Sequence, residues 1–537
     1  MKKLFFCTII TVLFTGYSIA QENKEGLTKG MNGINQQVLR AQLGFIASDW
    51  TEGREAGQKG EFIAADYIAG MLQLYGVKPG GDFPRPSGYS NIQEGKDRTY
   101  FQNFVLLKTS PGDEQVMKIK SVEGEGTISA GLAYNIDFTL RAPESDVEIE
   151  APVIFAGYGF ISEKLKYNDF SKLDIKGKFV LRISGTPGFA REFLSPNELY
   201  ASAGEAEKYA RSMGAAGIIE FNPNSAIIGN RLPADPFDLS PSENNPRYGR
   251  PYASYSIPAK DPPDNFLRIS VSAKVANEIM NGSGFDPDSF IRKSASSGST
   301  VLPVVKGKSI YVKATVKSET IRVRNVIGVI DGINPGQYIV LGAHYDHLGM
   351  TNGYIWNGAD DNGSGTVGVL TIAKAFMESG VRPQKTLIFA FWTAEEEGLL
   401  GSRYYVDNLQ VPVKEIRLNL NFDMISRYIA DDDPDKVVMT YSESHPQFRE
   451  ITEKNIKEFG IALKVDYQPS KDPPGGSDHR SFVAAGIPVM RFKPGHREEY
   501  HTPADEVTTV NWEIMEKIVR ISFANTWVLA NTDWQSF

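Results

Sequence analysis

Two hydrophobic periodicities and a change of texture between them organise the chain. Over residues 36–76, "QQVLRAQLGFIASDW" and "EFIAADYIAGMLQLYG" space apolar residues as one face of a helix, and Gly76 supplies a stop. Residues 131–315 change to short β-rich runs such as "APVIFAGYGF" and "GKFVLRISG", interrupted by Gly and Pro, which predicts a separate β-rich module. From 316 onward apolar strands alternate with helical patterns. The strands are "NVIGVIDG", "YIVLGAHYD", "KTLIFAFW", "EIRLNLNFDM" and "IPVMRF". The helices are "GTVGVLTIAKAFMESG", "LLGSRYYVDNL", "PQFREITEKNIKEFG" and "WEIMEKIVRISFANTWVLAN". Such interleaving predicts an α/β domain, a mostly parallel mixed sheet flanked by helices, with ligands beyond the carboxyl ends of its strands. Residues 79–98 and 233–256 read as loops.

The expected divisions are 1–20, a signal peptide; 21–130, the N-terminal part of the α/β domain; 131–315, the β-rich insert; and 316–537, the remainder of the α/β domain. In "MKKLFFCTIITVLFTGYSIA" two lysines precede an apolar run too short to span a bilayer, so cleavage near Gln21 and a periplasmic or secreted protein without a stable membrane anchor are expected. Cys7 is the only cysteine, so the mature chain builds any metal site from nitrogen and oxygen. Removing Lys2 and Lys3 takes the net charge from −8 to −8 − 2 = −10, with no Lys/Arg-rich run, which argues against nucleic acid as a partner.

All six histidines fall within residues 344–501. The predicted strands end on chargeable residues: His344-Tyr345-Asp346 after "IVLGA", Glu395-Glu396-Glu397 after "LIFAFWTA", Asp423 after "LNLNF". Asp360 and Asp361 stand at a glycine-rich helix entry, and "EEYHTPADE" adds His501. Carboxylates gathered on one rim repel and take up protons unless a cation sits among them. A histidine and a carboxylate on each of two ions, with a third carboxylate between them, suits the open coordination of catalytic zinc. Three carboxylates and a bridging hydroxide offset two Zn²⁺.

"GAHYDHLG", "GADDNGSG", "TAEEEGLLGS", "NFDM" and "YHTPAD" resemble, in order, the motifs of the co-catalytic di-zinc aminopeptidases, whose relatives include glutamate carboxypeptidase, glutaminyl cyclase and the transferrin receptor. The resemblance is strong over 320–537 and looser over 36–80. It implies the phosphorylase/hydrolase-like fold of zinc exopeptidases and two Zn²⁺ per chain. Asp361 would bridge the metals, one held by His344 and Asp423, the other by Glu396 and His501. Glu395 would be the general base, and Asp346 would hydrogen-bond His344 and set its tautomer. His347 would be a neighbour without a metal role. Tyr500 would face the oxyanion, and Asp478 and His479 in "GGSDHRSF" would stand behind the ligands. "YNDFSKLDIKGKFVLRISG", "AAGIIEFN" and "ISVSAKVANEIM" resemble a protease-associated domain.

The function so implied is an aminopeptidase acting on peptides with a free N-terminus. A glutaminyl cyclase or a glutamate-releasing carboxypeptidase stands as the alternative, the latter needing a basic pocket for which Arg427, Arg491 and Arg497 are available. A non-catalytic receptor-like module is the reading from another class.

Overall fold

The computed structural model describes residues 23–83, 98–123, 126–194, 196–223, 253–258, 265–296, 301–351, 353–428, 432–495 and 497–534. The expected signal peptide and its cleavage site, His496, and residues 84–97 and 233–252 of the two expected loops lie outside them. The chain forms two compact units, Met1–Phe104 with Arg322–Phe537, and Val105–Ile321.

The first unit is built on a mixed sheet. Its strands are β1 (Lys308–Ile330, through its C-terminal part), β2 (Tyr338–His344), β3 (Thr386–Trp392), β4 (Ile416–Asn421), β5 (Lys436–Ser442), β6 (Lys464–Ser470) and β7 (Val489–Lys493), in the order β6-β5-β7-β4-β2-β3-β1. Strands β3, β2, β4 and β7 are mutually parallel, so their carboxyl ends reach one rim. β1 pairs antiparallel with β3, and β5 antiparallel with β7. β5 and β6 were not anticipated. Both are short segments bounded by charged residues, and β6 ("KVDYQPS") is nowhere fully buried, so it lacks the apolar run that marks its neighbours.

The central strands are buried on both faces. Ile339, Leu341, Ala343, Leu387, Phe389 and Phe391 face a core shared with α1 (Gln36–Ile46), α2 (Lys59–Tyr75), α3 (Gly365–Ser379) and α7 (Trp512–Asn531). α5 (Gln447–Phe459) joins the same layer beside α7. Val340, Ile388, Ala390 and Trp392 point the opposite way, against Tyr405 of α4 (Leu400–Asp407) and Phe482 of α6 (His479–Ala484). Each Val, Leu, Ile or Phe side chain among these taken out of water stabilises the fold by about 1.5–3 kcal/mol. That double burial is why these strands read as unbroken apolar runs. The helix ends follow ordinary capping chemistry. Gly76 closes α2 at φ +81°, as its position in the sequence suggests, and the Asn511 side chain accepts the Glu513 and Ile514 amides at the start of α7.

The second unit holds a parallel run of strands, Val147–Phe155, Phe179–Ile183, Gly217–Phe221 and Leu267–Val271, with Phe138–Arg141 antiparallel at the end. Phe155, Phe179, Leu181, Ile219 and Phe285 lie in or against its own core. No helix among the described residues is long and apolar enough to cross a membrane.

Candidate metal centre

β2 ends on His344, β3 runs out just before Glu395-Glu396, and β4 stops just before Asp423. Parallel direction carries these three ends to one rim, where the turn Ala359–Ser364 entering α3 supplies Asp360 and Asp361, and the loop after β7 supplies His501. His344, Asp346, Asp361, Glu395, Asp423 and His501 are all buried.

Asp361 stands between two imidazoles. Its Oδ1 is 3.4 Å from His344 Nε2 and its Oδ2 2.9 Å from His501 Nε2. His344 Nε2 is also 3.9 Å from Asp423 Oδ1 and 3.9 Å from Glu395 Oε2, while His501 Nε2 lies 3.3 Å from Glu396 Oε2. Donor atoms of His344, Asp361 and Asp423 fall within 4.8 Å of one another, as do those of His347, Asp361 and Glu396. Two cation-sized clusters of nitrogen and oxygen donors therefore share Asp361. The donor set fits divalent zinc, which prefers such ligands and neutralises their charge.

Titration behaviour reflects the crowding. Burial pushes the Glu395 carboxyl well above the usual carboxylate range, reinforced by Asp478, Glu396 and Asp423 against the pull of His344. Burial also opposes ionisation of Glu396, but His501 and His347 outweigh it and hold that carboxyl well below the usual range. His501 is pushed up to about 10: burial disfavours its charge, and Glu396 and Asp361 more than compensate.

Two expected arrangements, those of Asp346 and His347, look different in detail. The His344 Nδ1 contact is to the Asp346 backbone carbonyl at 3.2 Å, with the Asp346 carboxylate 3.7 Å away. That carboxylate instead accepts the amides of Glu395 at 3.1 Å and Glu396 at 3.3 Å. His347, expected to be a bystander, has Nδ1 2.7 Å from Glu396 Oε1. Tyr500 stacks on His501 with ring centroids 3.8 Å apart. Asp478 and His479, at the start of α6, are both buried. Burial raises Asp478 to about 7, and burial with the Arg491 cation lowers His479 to about 3.

Behind the donors lies a scaffold in which Asp505, Ser426 and Arg54 were not singled out from the sequence. The Asp505 carboxylate accepts the amides of Asp360 and Asp361. Arg427 pairs with Asp505 at 3.3 Å, and Asp360 Oδ1 accepts from the amide and hydroxyl of Ser426 at 2.9 and 2.7 Å. Arg54, fully buried, donates to the carbonyls of Tyr345, Ile46, Asn357 and Gly358 at 2.6–3.0 Å. Burial lowers its pKa to about 10, opposed by Asp346, Asp505, Asp361 and Glu396. Arg54 and Asp505 lie in "TEGREAG" and "YHTPADE", so motif membership was the available signal. Ala394, Met424 and His501 adopt left-handed φ of +51°, +56° and +57°. Such strain costs about 1–3 kcal/mol per residue and persists where the surroundings over-determine the backbone.

Residues 325–526 match the model of peptidase family M28. That segment is similar to the family. It contains every donor described above. Among curated proteins, the chain is 37% identical over 171 residues to leupeptin-inactivating enzyme 1 of Streptomyces exfoliatus, covering 31% of this chain and 34% of the relative. It is 32% identical over 250 residues to a probable leucine aminopeptidase 2 of Aspergillus oryzae, covering 41% and 48%. The alignments thus span less than half the length of these relatives. Among solved structures, an aminopeptidase from Aneurinibacillus sp. strain AM-1 superposes with a TM-score of 0.54 at 18% identity, covering 95% of this chain and 96% of that one. That likeness establishes the fold, the mixed and mostly parallel sheet flanked by helices.

Proposed function

We propose that the protein is a periplasmic or secreted di-zinc aminopeptidase that removes residues from the N-termini of peptides. The observation carrying this reading is the placement of Asp361, whose two carboxylate oxygens each face a different imidazole. His344 and Asp423 would hold one zinc and Glu396 and His501 the other, with Asp361 shared. The aminopeptidase names of relatives such as the Aspergillus oryzae protein support the reaction class. The apolar run after Lys2 and Lys3 supports export, and the motif likeness over 131–315 supports a protease-associated insert.

Bound zinc would supply an acidified water and a polarised scissile carbonyl. Glu395 would take the water's proton and pass it to the leaving amine, a task suited to a buried carboxyl whose proton affinity is raised. Asp346 would keep Glu395 and Glu396 in position through their amides. Tyr500, held against His501, would offer its hydroxyl to the developing oxyanion.

Zinc per chain and hydrolysis of free and N-blocked dipeptides test the proposal together. Two equivalents of zinc and cleavage confined to free N-termini are expected. One equivalent with cyclisation of N-terminal glutamine, or cleavage of blocked substrates, would overturn it.

A further inference from the structure

Glu61 is the third residue of α2, a position from which a glutamate commonly reaches back to cap the free amides of its own helix. Its Oε2 does this, accepting the Gly57 amide at 2.6 Å. Its Oε1 makes contacts that capping does not need. It accepts from the hydroxyls of two strand exits, Thr393 just beyond β3 and, at 3.2 Å, Tyr345 just beyond β2. Glu61, Thr393 and Tyr345 are all fully buried. The Arg324 guanidinium, whose field Glu61 feels, is bonded to the Asp66 carboxylate at 2.6 Å and to the Phe62 carbonyl at 2.9 Å. A carboxyl withdrawn from water this completely is costly unless hydrogen bonds hold its oxygens, and a cap could have stayed at the surface.

Both hydroxyls belong to residues that lead directly into the site. Thr393 stands two residues ahead of Glu395 and is held at each polar group: its amide donates to Asn325 Oδ1 at 3.1 Å, its carbonyl accepts the Gly401 amide at 3.0 Å, and its hydroxyl meets Glu61. Asn325 donates in turn to Gln102 Oε1 and to the Gly401 carbonyl, both at 2.9 Å. A Cβ on Gly401 would lie 2.2 Å from the Thr393 carbonyl oxygen, so this close approach requires glycine. Tyr345 lies between His344 and Asp346, and its hydroxyl is shared between Glu61 and the Arg324 carbonyl at 2.6 Å. Its amide donates to the Trp392 carbonyl at 2.9 Å. Past that bond the two exits part, one toward Asp346 and the other through Ala394, at φ +51°, toward Glu395. Asp346 ties them again at the rim, through the Glu395 and Glu396 amides. Glu61 ties them from beneath.

We propose that Glu61 is a positioning residue whose single oxygen, shared by Tyr345 and Thr393, sets the placement of the base Glu395 relative to the donor His344. The inference rests on the peptidase reading above. Glu395 Oε2 and His344 Nε2 are 3.9 Å apart, and a displacement of about 1 Å at a reacting group can cost on the order of 10²-fold in rate.

Hydrolysis of leucine p-nitroanilide by zinc-loaded Glu61→Leu, Thr393→Val and Glu61→Gln, with zinc per chain measured on each, tests the tie. Glu61→Leu and Thr393→Val should each lower kcat by about 10- to 100-fold while KM and zinc content stay unchanged. The double variant should be no slower than the slower single one, because both changes remove the same bond. Glu61→Gln keeps one oxygen for the two hydroxyls and turns its amide toward Gly57, so kcat should be partly restored at some cost in stability. An unchanged kcat in Thr393→Val, additive losses in the double variant, or a fall in kcat that tracks lost zinc would overturn the proposal. Thr393→Val removes one hydroxyl and carries the test alone if Glu61→Leu does not fold. Amide hydrogen exchange over residues 393–401, followed by mass spectrometry, gives a readout independent of turnover. If the unaltered protein cleaves no N-terminal residue, the aminopeptidase reading fails, and exchange alone judges the tie: faster exchange in Thr393→Val supports it, and equal exchange overturns it.

Discussion

Asp505 Oδ2 accepts the backbone amide of Asp361 at 2.9 Å, across 144 residues of sequence. The same carboxylate takes the Asp360 amide at 2.9 and 3.1 Å, so one side chain fixes the peptide that aims the shared donor. Truncation leaves two buried amides unsatisfied, at about 1–3 kcal/mol each. Asp505→Ala should therefore loosen zinc and lower activity by about 10- to 100-fold, the usual effect of losing a support behind a metal ligand. Zinc release to a chelator, followed over time, checks this. A release rate equal to that of the unaltered protein would remove Asp505 from the site.

Asp346 and Asp361 should part company under the same substitution. Asp346 accepts the Glu395 and Glu396 amides, and an asparagine keeps one oxygen for that task. Asp361 faces two imidazoles with two oxygens, and an asparagine forfeits one of them together with the charge. Asp346→Asn should retain both metals with activity down by about 10- to 100-fold, whereas Asp361→Asn should be metal-depleted. Metal analysis of the two purified variants decides, and equal zinc contents would contradict the assignment of the bridge.

The parts of this fold that the sequence exposes are those where one physical cause dominates. β2, β3 and β4 are buried on both faces, so their apolar runs show without alignment, and their polar ends announce the rim. β6 escapes because an edge strand with no fully buried residue carries no such signal. His347 escapes for another reason. Adjacent residues on a regular strand face opposite ways, but the chain leaves β2 at His344, and only the turn that follows brings His347 to Glu396. Arg54 lies between the two helix-period stretches of residues 36–76. That its guanidinium would meet four carbonyls depends on loops at 345 and 357–358, which pattern alone does not bring together.

Glu61, bonded to Tyr345 and Thr393 beside the rim, supplies a further pH dependence. It is fully buried, accepting from the Gly57 amide at 2.6 Å and from the hydroxyls of Thr393 and Tyr345, and burial raises its pKa from the usual 4.5 to about 7. Between those values the folded chain keeps a proton that the unfolded chain has released, so stability falls as pH rises from 4.5 to 7 and the loss is complete above 7. The magnitude is about 3 kcal/mol for a shift of this size. Glu61→Gln should flatten that part of the stability profile, measured by denaturant unfolding of zinc-loaded protein across the range. An unchanged slope in the variant would show that another group sets it.

Glu395 and Glu396 are neighbours with opposed environments, which the proposed division into base and ligand requires. Glu396 is pulled toward the ionised form by His501 and His347, as a ligand needs, whereas Glu395 is pressed toward the protonated form by burial and three nearby carboxylates. Glu395 Oε2 reaches only to 3.9 Å from His344 Nε2, while Glu396 Oε2 lies 3.3 Å from His501 Nε2. A ligand has only to donate a lone pair, but a base must also accept and return a proton, which an amide cannot do. Glu395→Gln should accordingly keep the fold and both zinc ions while turnover falls by about 10²- to 10⁴-fold, the range for a lost general base. Glu396→Gln should lose or weaken one zinc. Zinc per chain and kcat measured on both variants separate the roles, and a metal-depleted Glu395→Gln beside a metal-replete Glu396→Gln would reverse them.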